Sequence, residues 1–120
     1  MITVETLRAW GANVDEALER CLGNEAFYLR LTEKALQDPS FDRLKEAVAS
    51  GDLEKGFEAA HALKGVTANM ALTPILTPVQ QITELLRNRT QADYGPLLAE
   101  IEARRAELLG LRFHRPLPGG

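Results

Sequence analysis

The sequence predicts an all-α protein: an up-and-down antiparallel four-helix bundle with additional short helices at the N-terminus. Three observations lead there. Leu, Ala and Glu dominate while aromatic residues make up only 6%, a mix that favours helices over strands. No stretch alternates apolar and polar residues between turns, which would mark a half-buried strand. Segments of helical period follow one another across short breaks, and short connections make neighbouring helices antiparallel.

The elements read in order. Thr3 caps a short helix through about Trp10, which Gly11 breaks. Asn13 caps a second short helix, with Glu16 at the capping-box position, running to Cys21 or Leu22 before Gly23. Asn24 opens a third, in which Phe27, Leu31 and Ala35, flanked by Tyr28 and Leu36, keep helical spacing. Asp38-Pro39 ends it, because proline restricts the residue before it. Ser40 or Asp38 then caps a helix through Val48, closed by Ser50-Gly51. Asp52 caps the next, from Leu53 to about Met70, with Gly56 and Gly65 inside it.

Thr73-Pro74 and Thr77-Pro78 are both start signals, with proline at the first helical position. The reading adopted is one helix from about Thr73 to Asn88, kinked or irregular near Pro78, with a start at Thr77 as the alternative. Asp93 caps a last helix with Pro96 in its first turn, and Leu97, Ile101 and Leu108 contribute its buried stripe. Residues 1–111 form the bundle, and 112–120, ending in Arg115-Pro116-Leu117-Pro118-Gly119-Gly120, form a disordered tail.

Composition narrows the function. The chain of 120 residues fits one domain with a real core. A formal charge of -3 argues against nucleic acid or an anionic membrane as partner, since both call for a basic footprint. The lone Cys21 forms no internal disulfide and suits a reducing compartment. No apolar run approaches the roughly 18 residues that span a membrane, and Met1-Ile2-Thr3-Val4-Glu5 lacks a signal-peptide pattern. The expectation is a soluble, cytoplasmic monomer.

The helix from Leu53 carries the chemistry. At about 100° per residue, Leu53, Gly56, Ala60, Leu63, Thr67 and Met70 share one side, with Phe57 and Ala71 close by. Glu54, Glu58, Ala62, Gly65 and Asn69 fall opposite. His61 lies on the flank toward solvent. Gly65, four residues on, should sit beside it and has no side chain, although glycine in a helix costs about 1 kcal/mol relative to alanine. Ala68 is also small, and Lys64, one turn away, brings a cation to the same spot. Such an exposed neutral imidazole beside bare backbone suits phosphoryl transfer between proteins, where positioning and charge stabilisation do most of the catalysis. Bulk at position 65 would obstruct an in-line partner, and Lys64 can offset charge on phosphoryl oxygens.

The segment Ala60-His61-Ala62-Leu63-Lys64-Gly65-Val66-Thr67-Ala68-Asn69-Met70 resembles the signature helix of the histidine-containing phosphotransfer (HPt) family. There a His is followed by any residue, then Leu-Lys-Gly, and later by Asn and an apolar residue. Ser50-Gly51-Asp52 is similar to the turn that leads into that helix, and helix order extends the resemblance over roughly Val14 to Leu109. The resemblance implies a four-helix bundle that accepts a phosphoryl group from an aspartate of one receiver domain and passes it to another. It makes His61 the phosphoacceptor, with Lys64 and Gly65 in support. It places Mg²⁺ and the catalytic acids on the receiver, so that this chain needs no cofactor, and it names as partners response-regulator receivers and a hybrid sensor histidine kinase. The chain departs from the pattern at Ala71, where many members have Gly. It departs again at Val66 and Ala68, where small polar residues or Gly are usual, and in the start of the helix after Thr73.

Plainer readings apply elsewhere. Glu54 and Glu58 form a solvated face rather than an acid/base pair. Cys21 fills core, Gly56 faces inward as a packing glycine, and Trp10 covers one end of the bundle. His61, His114 and Cys21 are too scattered for zinc, so no metal site is expected. The competing function is a non-catalytic helical adaptor on a receiver or kinase domain, against which the intact His61-x-Leu63-Lys64-Gly65 speaks. A hydrolase would need a nucleophile–base pair that the sequence lacks. No nucleotide-binding motif is present, so ATP alone should not label the protein.

Overall fold

The computed structural model describes residues 2–113, with side chains to residue 111. Its seven helices are α1 (Val4–Trp10), α2 (Val14–Arg20), α3 (Glu25–Leu36), α4 (Ser40–Ala49), α5 (Leu53–Asn69), α6 (Thr73–Arg87) and α7 (Gly95–Phe113). The fold is all-α. α4, α5, α6 and α7 each pack against the next, and α3 lies against α7. α7 runs two residues past the boundary expected at Leu111. Residues 114–120, with His114 and the rest of the expected tail, lie outside the described residues.

The starts follow from local side-chain chemistry. Thr3 and Thr6 form a reciprocal capping box, the Thr6 amide donating to Thr3 Oγ1 at 3.0 Å and the Thr3 amide to Thr6 Oγ1 at 2.8 Å. Asn24 Oδ1 accepts from the Phe27 amide at 3.0 Å and Asp52 Oδ1 from the Lys55 amide at 3.0 Å. Neither cap expected for α4 holds the cap position, which falls to Pro39 with no side-chain cap bond; Asp38 Oδ1 accepts from the Ser40 amide at 2.8 Å one residue earlier, and Ser40 is already helical and buried. Asp93 Oδ1 accepts from the Gly95 amide at 2.9 Å.

α2 departs from expectation. Its cap is Asn13, but Glu16 does not close the box, because the Asn13 backbone amide donates to the Ala71 carbonyl at 2.9 Å. The Glu16 carboxylate instead accepts from Asn13 Nδ2 at 2.9 Å and pairs with Arg20. A salt bridge of 3.0 Å between Arg8 and Asp15 joins α1 to α2 and holds the Asp15 carboxyl below its usual range.

Five helices end in one motif, α1 among them, where the Gly11 amide donates to the Arg8 carbonyl and the Ala12 amide to Leu7, with Gly11 at φ 120°. After α4 the Gly51 amide donates to the Val48 carbonyl and the Asp52 amide to Ala47, with Gly51 at φ 76°. This is the Schellman turn, whose left-handed residue is ordinarily glycine. The same pairs of bonds close α2, α5 and α6 around Leu22 (φ 55°), Ala71 (φ 54°) and Arg89 (φ 52°). An L-residue there opposes its Cβ to the following carbonyl at a cost of roughly 1–2 kcal/mol.

α6 starts at Thr73 and continues as one helix through Pro78, which is buried. Pro74 occupies the first turn, where no intrahelical donor is missed. The Thr77 hydroxyl donates to the Thr73 carbonyl at 3.1 Å, next to the donor that Pro78 lacks.

The core gathers Leu7, Val14, Ala17, Tyr28, Leu36, Leu44, Ala60, Leu63, Leu72, Ile75, Ile82, Leu86, Ile101 and Leu108 from all seven helices. Cys21 is buried within it, and Leu97 is partly buried against it, as expected. In α3 the expected stripe is rotated: Tyr28, Thr32, Ala35 and Leu36 are buried, whereas Phe27 is 42% exposed. Trp10 is half-buried, its indole Nε1 donating to Glu107 Oε1 at 2.9 Å, so that α1 is fastened to α7.

Candidate functional site

α5 owes its orientation to a narrow apolar stripe. Gly56, Ala59, Ala60, Leu63 and Thr67 are buried, and the Thr67 hydroxyl donates to the Leu63 carbonyl at 2.7 Å. The small residues let neighbouring helices come close. A Cβ on Gly56 would meet Leu86 Cδ2 at 3.3 Å and the Ala47 Cβ at 3.8 Å, so Gly56 faces inward as expected.

His61 follows directly on the fully buried Ala60 and is itself exposed. Gly65, on the outer side, is exposed too, and a Cβ built there would touch nothing within 4 Å. Lys64 lies half-buried one turn from His61 and enters no ion pair among the described residues. Ala62, Glu54 and Glu58 are exposed. The structure thus brings His61, Lys64 and Gly65 together on one open flank of α5.

Two neighbours of that flank escaped the sequence reading. The Phe57 and His61 rings stack, their centroids 5.7 Å apart and their planes 24° from parallel. On α6, the Arg87 guanidinium carbon sits 5.4 Å from the Phe57 ring centroid, while Arg87 Nε lies 3.4 Å from Glu84 Oε1. The spacing of four between Phe57 and His61 was the available signal. The wheel had assigned Phe57 to the edge of the core stripe, and it is only half-buried. Arg87 carried no local signal, because its partner lies on another helix.

The carboxyl end of α5 is closed by side chains from two other helices. Arg20 Nη1 of α2 donates to the Ala68 carbonyl at 2.9 Å and the Asn69 carbonyl at 3.0 Å. The Tyr28 hydroxyl of α3 donates to the Met70 carbonyl at 3.2 Å. The Leu72 amide reaches back to the Thr67 carbonyl at 2.9 Å. The last carbonyls of a helix have no partner within it, so these bonds fix where α5 ends, and with it the level of the His61 flank.

Among the described residues no three His, Cys, Asp or Glu side chains gather as a metal ion would require. No helix among them is long and apolar enough to cross a membrane.

A family model described as the Hpt domain matches residues 28–110. Neither the curated proteins nor the solved structures contain a match to the chain. The match takes in α5 with its His61 flank and most of the bundle, and the chain belongs to the Hpt domain family, the phosphotransfer domains of two-component signalling that work with receiver domains and kinases.

Proposed function

We propose that His61 is the phosphoacceptor of a phosphorelay, taking the phosphoryl group from an aspartyl phosphate of one receiver domain and passing it to the aspartate of another. The observation that carries this reading is an exposed imidazole beside the bare backbone of Gly65, on a helix otherwise anchored in the core.

The step asks little of this chain beyond presentation. An imidazole nitrogen directs its lone pair at phosphorus, opposite the bond to the aspartate oxygen. The P–N bond forms as the P–O bond breaks, and its electron pair leaves with the carboxylate. Return to a second receiver is the same exchange reversed. The two proteins must close to within bonding distance, which favours a flank with nothing standing above the ring. Gly65 provides that clearance. Lys64, half-buried and without a carboxylate partner among the described residues, supplies positive charge for the phosphoryl oxygens. The receiver contributes Mg²⁺ and the acidic groups around its aspartate, so this chain requires no cofactor of its own.

The donor is a receiver domain, including that of a hybrid sensor histidine kinase, and the acceptor is a response regulator. The exposed Glu54 and Glu58 and the Lys55 between them contribute the charge pattern that a partner reads. The protein acts as a cytoplasmic monomer.

Incubation with a phosphorylated receiver should give one acid-labile phosphorylation, located on His61 by mass spectrometry and lost in His61→Gln. ATP alone should give none. Label that persists in His61→Gln would refute the assignment.

A further inference from the structure

We infer that Phe57 is a positioning residue for His61: its ring is the backstop that holds the imidazole in its attacking orientation. The inference rests on the reading of His61 as phosphoacceptor and adds what holds the nucleophile in place.

Side chains on an α-helix lean toward its N-terminus, so a residue covers the surface above the preceding turn. His61 therefore lies over Phe57 rather than over Gly65. The observed stack, with centroids 5.7 Å apart and planes at 24°, is the offset arrangement that aromatic pairs prefer. The same lean means that a side chain at position 65 would fold back over the imidazole, and that space is open. One side of the ring is backed and the other is bare.

The backstop is itself braced. Phe57 is half-buried, and the Arg87 guanidinium carbon stands 5.4 Å from its ring centroid. Arg87 Nε is in turn 3.4 Å from Glu84 Oε1, one turn earlier on α6. A chain of contacts thus runs from α6 through Phe57 to the imidazole. Among the described residues His61 makes no hydrogen bond through its ring nitrogens, so the stack is the contact that restricts its rotamer. Preferences of aromatic pairs correspond to about a two- to tenfold bias among rotamers. In a reaction governed by positioning, that bias enters the rate directly.

The test uses two phosphoryl donors on the full chain. Phosphoramidate is small and needs no docking surface: the imidazole nitrogen forms the P–N bond while the original P–N bond breaks and ammonia leaves. A phosphorylated receiver is the second donor. Phe57→Leu keeps apolar bulk against the core, and Phe57→Tyr keeps the flat ring. Phe57→Leu should slow labelling by phosphoramidate by about two- to tenfold and lower the maximal transfer rate from the receiver to a similar extent, with KM for the receiver unchanged. Phe57→Tyr should restore both rates. The ring-current shift of the His61 carbon-bound protons in NMR should disappear in Phe57→Leu and persist in Phe57→Tyr. Wild-type rates in Phe57→Leu with both donors, or a change confined to KM, would overturn the positioning role while leaving His61 as acceptor. A wild-type protein that takes no label on His61 from either donor would overturn both readings together.

Discussion

Arg20 and Asn69 are joined across two helices: the guanidinium of the first donates to the backbone carbonyl of the second at 3.0 Å, and to that of Ala68 beside it. The negative end of the α5 dipole therefore meets a positive charge from α2, and two carbonyls with no helical partner gain donors. The short N-terminal helices are thereby part of what holds the signature helix in place.

Arg20→Ala should destabilise the protein by about 0.3–1 kcal/mol, the usual worth of an exposed cation at a helix C-terminus. Chemical denaturation measures the loss, and amide exchange should quicken in the last turn of α5. Exchange that quickens only in α2 would show that Arg20 serves its own helix through Glu16 and not α5.

The two glycines of α5 should respond in opposite ways. Gly65→Gln places a better helix former where a side chain meets open space, so the melting temperature should hold or rise, by up to about 1 kcal/mol in stability. Transfer to His61 from a receiver should nevertheless slow severely, since the new side chain folds back over the imidazole. Gly56→Leu should destabilise by about 1–3 kcal/mol, because a Cβ added there would lie 3.3 Å from Leu86 Cδ2. Thermal unfolding and transfer kinetics on both variants decide the matter; a severe loss of stability in Gly65→Gln would place that residue in the core.

Leu22→Gly should stabilise by about 0.5–1 kcal/mol. Leu22 is 95% exposed and holds a left-handed conformation, so the substitution relieves strain without removing packing. Ala71→Gly, at the same position of the turn after α5, should change stability much less. Its methyl is buried, and losing it costs about 0.8 kcal/mol, which offsets most of the relief. Urea midpoints of the two variants measure the contrast; a destabilised Leu22→Gly would contradict it.

Tyr28→Phe removes the hydroxyl that donates to the Met70 carbonyl and should cost about 1 kcal/mol. Burial raises the Tyr28 phenol above its ordinary value, against an opposing pull from Thr32. Folding thus favours the protonated form. That contribution is intact below the unfolded value of about 10 and is lost as pH rises through the folded one. Melting temperature followed into the alkaline range should fall less steeply in Tyr28→Phe than in the parent protein. Identical alkaline slopes would remove Tyr28 from the account.

What the sequence made legible was local. Thr3, Asn24 and Asp52 sit at the first turns they cap, and the inward Gly56 and outward Gly65 follow from one wheel, because period and capping act within a few residues. The α3 stripe was misjudged by one residue's rotation, since the buried Thr32 hid the row that Tyr28 and Leu36 share. The capping box at Asn13 failed for a nonlocal reason: its amide is taken by Ala71, distant in sequence. The Phe57–Arg87 contact and the Arg20 bonds likewise join separate helices, and no local pattern encodes them. His61, Lys64 and Gly65 could be read as neighbours on one helix because all three lie within two turns of it.

The bonds from Asn13, Arg20 and Tyr28 to the end of α5 bear on where this domain can be cut. The family match begins at residue 28, yet Asn13 and Arg20 lie upstream of it and hold Ala71, Ala68 and Asn69. A fragment trimmed to the matched residues would shed the buried Leu7, Val14 and Ala17 and leave three carbonyls seeking water. The contacts that hold α5 therefore reach beyond the stretch the family pattern covers, and α1 and α2 bring buried side chains to the core and donors to the end of α5.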